Sequence, residues 1–129
     1  MSRRATTAPV PPSTLDELVT VLRHYGVRGT GEREVQDGLA LIFQHERIAF
    51  EREVALTPED RIDFLVGAIG VEVKIKGGPS AVLEQLTRYA QHDRVRALLL
   101  VTQRVQLANL GGEIDGKPLR TLAVWRGLV

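Results

Sequence analysis

Cysteine is absent from the 129 residues. That excludes disulfides and thiolate metal sites, and it fits a reducing cytoplasm, the expected compartment. No apolar run exceeds the length of a strand, so no membrane span is expected. The opening MSRRATTAPVPPS carries charge but no apolar stretch, and does not read as a secretory signal. Glycine-rich phosphate loops are missing too. GTG and GGEIDG lack the strand–loop–helix context and the lysine of such a loop, so no nucleotide cofactor is expected. No serine–histidine arrangement suggests a covalent nucleophile. His24, His45 and His92 sit one per helix end, without the spacing of metal ligands.

An excess of charge of one sign is also missing. The net charge is +1, which excludes a bulk polycation. Fourteen of the seventeen basic residues are arginine. Arginine suits bidentate contact with phosphate or carboxylate, although codon usage in a GC-rich genome yields the same bias. Composition therefore allows a nucleic-acid partner without implying one.

What is present suits one soluble domain. Hydrophobic residues make up 43% and charged residues 26%, ordinary for a globular chain of this length. Residues 1–13, with three of the six prolines, are expected to form a loose arm ahead of a single domain over 14–129. Leu15, Leu18, Val19 and Leu22 recur at helical spacing behind Ser13 and Thr14, with Gly26 to end the helix. Val35, Leu39, Ile42 and Phe43 mark a second helix from Glu32 to about His45. RIAFEREVAL, RIDFLV and GVEVKIK read as strands, the last two joined tightly through Gly67 and Gly70. A helix over 80–92 presents Val82, Leu86, Tyr89 and Ala90 on one side. RALLLVT is apolar throughout, as in a strand buried on both faces. A short helix in QRVQLANL, the turn-rich GGEIDGKP and a last strand LRTLAVWR with Trp125 complete the chain. The predicted order is α-α-β-β-β-α-β-α-β, an α/β domain with a central mixed sheet flanked by helices.

Within this pattern, RIDFLVGAIGVEVKIK puts Asp63, Glu72 and Lys74 inside strands, where unpaired charge is costly. Alternation places Glu72, Lys74 and Lys76 on one face and Val71, Val73 and Ile75 on the other. The tight turn brings Asp63 beside Glu72. Two adjacent carboxylates repel unless a cation lies between them. An Asp–Glu pair with a backbone carbonyl suits a hard divalent ion such as Mg2+. Lys74 is then placed to orient or activate water, or to neutralise phosphate charge. The plain alternative is an exposed sheet face with alternating charge.

Asp63…Glu72-Val73-Lys74 resembles the signature of the PD-(D/E)XK nucleases, the restriction-endonuclease-like phosphodiesterases, with Ile62 where the signature has proline. The resemblance runs from about Glu32 to the last strand and implies a restriction-endonuclease-like core. GEREVQDGLALIF resembles the helix start of archaeal Holliday-junction resolvases, which assigns Glu32 to the metal side, with Glu34 as the substitute and Gln36 four residues on, on the same face. Both glutamates also suit the positive helix N-terminus on general grounds. QLTRY, Gln85 to Tyr89, resembles the Q-x-x-x-Y motif of exonuclease domains in recombination helicase-nucleases.

The resemblance implies a DNA phosphodiesterase dependent on Mg2+ or Mn2+. Asp63, Glu72, the Val73 carbonyl and Glu32 would hold the metal, and Lys74 would serve the water. Gln85, Tyr89, Lys76 and Gln36 would position phosphate. Arg33, Arg88, Arg94 and Arg104 are further candidates for a phosphate track. Branched DNA cut by a homodimer and DNA ends or single strands are both open as substrates. Compact nucleases of this kind resemble those of phage and mobile elements, which would place the chain in a host's cytoplasm. A catalytically inactive DNA-binding or scaffold module of the same fold is the alternative, and a purely structural α/β domain the third.

Overall fold

Helix α1 (Leu15–Tyr25) starts where Thr14 closes a capping box with Glu17. The Thr14 hydroxyl accepts from the Glu17 amide at 3.1 Å, and the Thr14 amide donates to Glu17 Oε1 at 3.2 Å. Gly26, at φ 61°, ends it in the left-handed region that glycine tolerates. Helix α2 (Glu32–His45) and helix α3 (Pro79–Ala90) follow their apolar spacing, with Pro79 in the first turn of α3. The computed structural model describes residues 14–124, apart from the side chain of Val105. The arm expected over 1–13 and Trp125 lie outside the described residues.

Six strands, β1 (Glu51–Ala55), β2 (Arg61–Val66), β3 (Ile69–Lys74), β4 (Ala97–Thr102), β5 (Gly112–Ile114) and β6 (Lys117–Ala123), form one open sheet in the order β1-β2-β3-β4-β6-β5. β3–β4 and β4–β6 are parallel and the other pairs antiparallel. β4 is buried along its whole length, as its unbroken apolar run requires. α1 and α2 cover one face, where Leu18, Leu39 and Phe43 meet Phe64, Val71 and Leu99. α3 covers the other, where Leu86 and Tyr89 meet Leu65, Leu98 and Leu100. The expected class, a mixed sheet flanked by helices, is what forms.

The order differs from the predicted one. The segment expected as turns contains β5, paired with β6 through the Asp115–Gly116 turn, where φ is 53° and 77°. Asp-Gly between two extended segments is itself a hairpin signal. The helix expected in QRVQLANL shortens to one 3-10 turn, Val105–Leu107. β1 begins four residues later than expected, and β3 ends at Lys74, so Lys76 lies in a bend. Gly70 does not belong to the turn, which is Gly67–Ala68. It sits inside β3 because a Cβ there would lie 2.5 Å from Ile62 Cδ1.

The β1–β2 hairpin changes faces along its length. Phe64 lies in the layer beneath α1 and α2, but Ile62 lies in the layer beneath α3. Alternation alone would keep them on one face. Their partners Arg52 and Val54 change sides with them, since the Arg52 guanidinium stands 5.5 Å over the Phe64 ring and Val54 packs with Ile62. The ladder skips the position between, where the register faces Glu53 toward Asp63 and Glu53 takes φ 58°. For a residue with a Cβ that backbone costs on the order of 1–3 kcal/mol.

Candidate active site

β2 and β3 both run beyond the last rung of their ladder. Backbone pairing joins Val66 to Ile69, Leu65 to Gly70 and Phe64 to Val71. β2 nonetheless extends back to Arg61 and β3 on to Lys74, each held by its outer neighbour. The sheet therefore forks in its centre, and buried amides in a fork need partners. Two carboxylates supply them. The Asp63 amide donates to Glu72 Oε1 at 3.1 Å, and the Val73 amide donates to Asp63 Oδ2 at 2.8 Å. An extended residue directs its N–H and C=O to the same edge of its strand, so the Val73 carbonyl faces the same fork.

Helix α3 closes the fork from one side. The Tyr89 hydroxyl lies 2.9 Å from the Arg61 carbonyl and 3.3 Å from Glu72 Oε2, and its single hydrogen serves one of them at a time. Lys74 reaches Glu72 Oε2 with Nζ at 3.8 Å and keeps a quarter of its side chain exposed. Its carbonyl accepts from Thr102 Oγ1 at 2.6 Å, which fixes the end of β3 against β4. Glu32, the first residue of α2, arrives from the other side and accepts from the Ile75 amide at 3.1 Å. Glu34 turns away and accepts from the amide and hydroxyl of Thr30 at 2.6 and 2.7 Å. Of the two glutamates in α2, Glu32 is the one brought to the fork.

The electrostatics follow from burial. Glu72 is 3% exposed. Desolvation first, and the neighbouring Asp63 charge second, push its carboxyl up to about 8, against the Asp63 amide, Lys74 and Tyr89. Asp63 is likewise pushed up to about 6 by desolvation. The Val73 amide and Lys74 oppose that shift, while the Glu53 and Glu32 charges add to it. The Tyr89 hydroxyl is held far above its ordinary value, by burial first and then by the Glu72 and Asp63 charges. A cation between two adjacent carboxylates would offset the repulsion and desolvation that raise them. The oxygens of Asp63, Glu72 and the Val73 carbonyl are hard donors of the kind Mg2+ or Mn2+ takes. Among the described residues no three acidic or histidine side chains converge within ligating distance. Glu32 thus stands one step outside the Asp63–Glu72 pair.

The remaining candidates divide. Gln36 is buried, with Oε1 3.4 Å from Arg52 Nη2, and Arg52 also pairs with Asp37 at 2.6 Å. Gln36 therefore serves the α2–β1 contact. Gln85 is half-buried on α3, with no hydrogen bond from its side chain to the described residues. Arg88 pairs with Asp60 at 3.1 Å and Arg94 with Glu51 at 2.8 Å, so both charges are taken. Sequence reasoning missed Glu53, Thr102 and the Arg61 carbonyl. The β1–β2 register reveals Glu53, and the hydrogen bonds of Lys74 and Tyr89 reveal the other two. No protein-family model, curated protein or solved structure matches the chain.

Proposed function

We propose that the chain is a divalent-metal-dependent DNA phosphodiesterase built on a restriction-endonuclease-like core. The observation that carries this reading is the forked sheet, with Asp63 and Glu72 buried together where backbone pairing stops. Burying two acids costs several kcal/mol, and neutral side-chain amides could accept from the same backbone N–H groups without that cost. Strained or costly arrangements of this kind cluster at functional sites.

In this reading Asp63, Glu72 and the Val73 carbonyl hold the metal, with Glu32 beside them. The metal, when bound, would polarise the scissile phosphate and lower the pKa of a coordinated water. Lys74, a quarter exposed next to Glu72, donates hydrogen bonds to the attacking water and offsets charge on the phosphate. Tyr89 fixes the orientation of Glu72, and Gln85, four residues earlier on α3, keeps its amide for the phosphate. Branched or end-containing DNA is the proposed substrate class, with a homodimer as the form that cuts both strands of a junction.

The test is incubation of the chain with supercoiled plasmid, a linear duplex and a four-way junction, each with Mg2+, Mn2+ or chelator. Cleavage is expected with metal and not with chelator. Lys74→Ala should lower it at least 100-fold with an unchanged melting temperature. Cleavage by Lys74→Ala at the wild-type rate would sink the assignment. DNA binding without cleavage of any substrate would make the chain a binding module on the same fold.

A further inference from the structure

Beyond the fork, the ends of β3 and β4 and the start of α2 enclose a groove. One part, of about 410 Å³, is lined by Thr30, Gly31, Glu32, Ile75 and Lys76. It continues into a part of about 260 Å³ that shares Thr30, Ile75 and Lys76 and adds Gln103 and Arg104. The walls are tied together. Gln103 Nε2 donates to the Gly29 carbonyl at 2.5 Å, which fastens the segment before α2 to the end of β4. Glu32 fastens the start of α2 to β3 through the Ile75 amide. Gly29 itself is closely packed, because a Cβ there would lie 2.8 Å from Val35 Cγ2. The groove is therefore formed before any ligand arrives.

Its charge is polarised. The inner end carries the Glu32 carboxylate, whose charge Asp63 feels. The outer end carries Lys76 and Arg104, and neither has a carboxylate partner among the described residues. Among the described residues Lys76 makes no hydrogen bond or ion pair, and the Arg104 guanidinium donates only to the neutral Gln106 Oε1 at 3.2 Å. Glu34, the other acid nearby, is engaged by Thr30. Unneutralised cations leading away from a carboxylate pair match a phosphodiester chain, whose reacting phosphate meets the metal site while its flanking phosphates need positive charge.

We infer that this groove seats the sugar–phosphate backbone of one DNA strand beside the scissile phosphate, with Lys76 and Arg104 each neutralising one phosphate. The inference rests on the phosphodiesterase reading and names how that site takes its substrate. Phosphate contacts of this kind position the strand and carry no sequence preference.

The experiment measures binding of a fluorescein-labelled single-stranded oligonucleotide by anisotropy across a salt series, in chelator so that no cleavage occurs. Lys76→Ala and Arg104→Ala should each weaken binding alike for unrelated sequences. Each should also reduce the slope of log K against log salt by about 0.7, the release from one single-strand phosphate. Arg88→Ala, whose charge is already paired with Asp60, should leave the slope unchanged. Melting temperatures confirm that each variant is folded. Slopes equal to wild type in Lys76→Ala and Arg104→Ala overturn the inference, as does an equal loss in Arg88→Ala or no binding by the wild type. Wild-type cleavage in Mg2+, scored separately, distinguishes the two readings. Cleavage with unaltered slopes removes the groove and leaves the phosphodiesterase, whereas altered slopes without cleavage do the reverse.

Discussion

Glu72 shows most clearly what one residue costs and contributes. It is the most buried charged group among the described residues, its oxygens engage the Asp63 amide and Tyr89, and Lys74 stands within ion-pair distance. In the metal-free chain its ionised form is disfavoured, so a neutral isostere is expected to be the more stable residue in alkaline solution. Glu72→Gln should raise the metal-free stability at pH 9 by about 1–3 kcal/mol in urea unfolding, and should abolish metal-dependent cleavage. A variant less stable than wild type at that pH would show that the carboxylate is structural. The candidacy of this residue was legible in the sequence from the acid one hairpin earlier and the lysine two residues on, although a glutamate alternating with valines also suits an exposed sheet face. The role of Arg61 was not, since a backbone carbonyl leaves no mark in a side-chain pattern.

At the scale of elements, the β2–β3 hairpin decides the site. Its two-residue turn at Gly67–Ala68 sets the register that brings Asp63 opposite Glu72, and Gly70 lets β3 lie close against Ile62. A methyl group at position 70 would meet Ile62 Cδ1 and Leu98 Cδ2 at 2.5 and 3.1 Å. Gly70→Ala is therefore expected to destabilise the chain by about 1–3 kcal/mol through overpacking. Ile62→Val, which removes that Cδ1, should recover part of the loss in a double-mutant cycle read by urea unfolding. Strict additivity of the two substitutions would contradict the contact. The strands themselves were readable from alternation and turn chemistry. The face change at Glu53–Asp63 was not, because it coincides with a break in the ladder where Glu53, a residue that rarely takes positive φ, adopts 58°.

At the scale of the whole molecule, the buried pair ties stability to pH. Both carboxyls titrate above their unfolded values, so the folded chain binds more protons than the unfolded chain between them. The stability this contributes is full below the unfolded carboxylate range. It is lost as pH rises, through about 6 for Asp63 and about 8 for Glu72. The melting temperature of the metal-free chain is thus expected to fall from pH 5 to pH 9, by a free energy on the order of a few kcal/mol. Mg2+ or Mn2+ should reverse the fall most strongly at the alkaline end, where both oxygens are free to ligate. A double substitution, Asp63→Asn with Glu72→Gln, should flatten the profile and remove the metal effect. A stability that rises with pH over this window would contradict the burial of the pair.

By itself the sequence determined three of the four expected helices, five of the six strands and the position of Asp63, Glu72 and Lys74 within them. Those are consequences of local periodicity, capping and turn residues. It also determined that Asp63, Glu72 and Lys74 would meet, because one tight turn suffices for that. Only the tertiary structure decided that the sheet forks between β2 and β3, that Glu32 rather than Glu34 reaches the fork, and that Lys76 and Arg104 face one groove. Each of these depends on contacts between segments far apart in the chain, such as Glu32 with Ile75, and their distances are set by packing the helices onto the sheet.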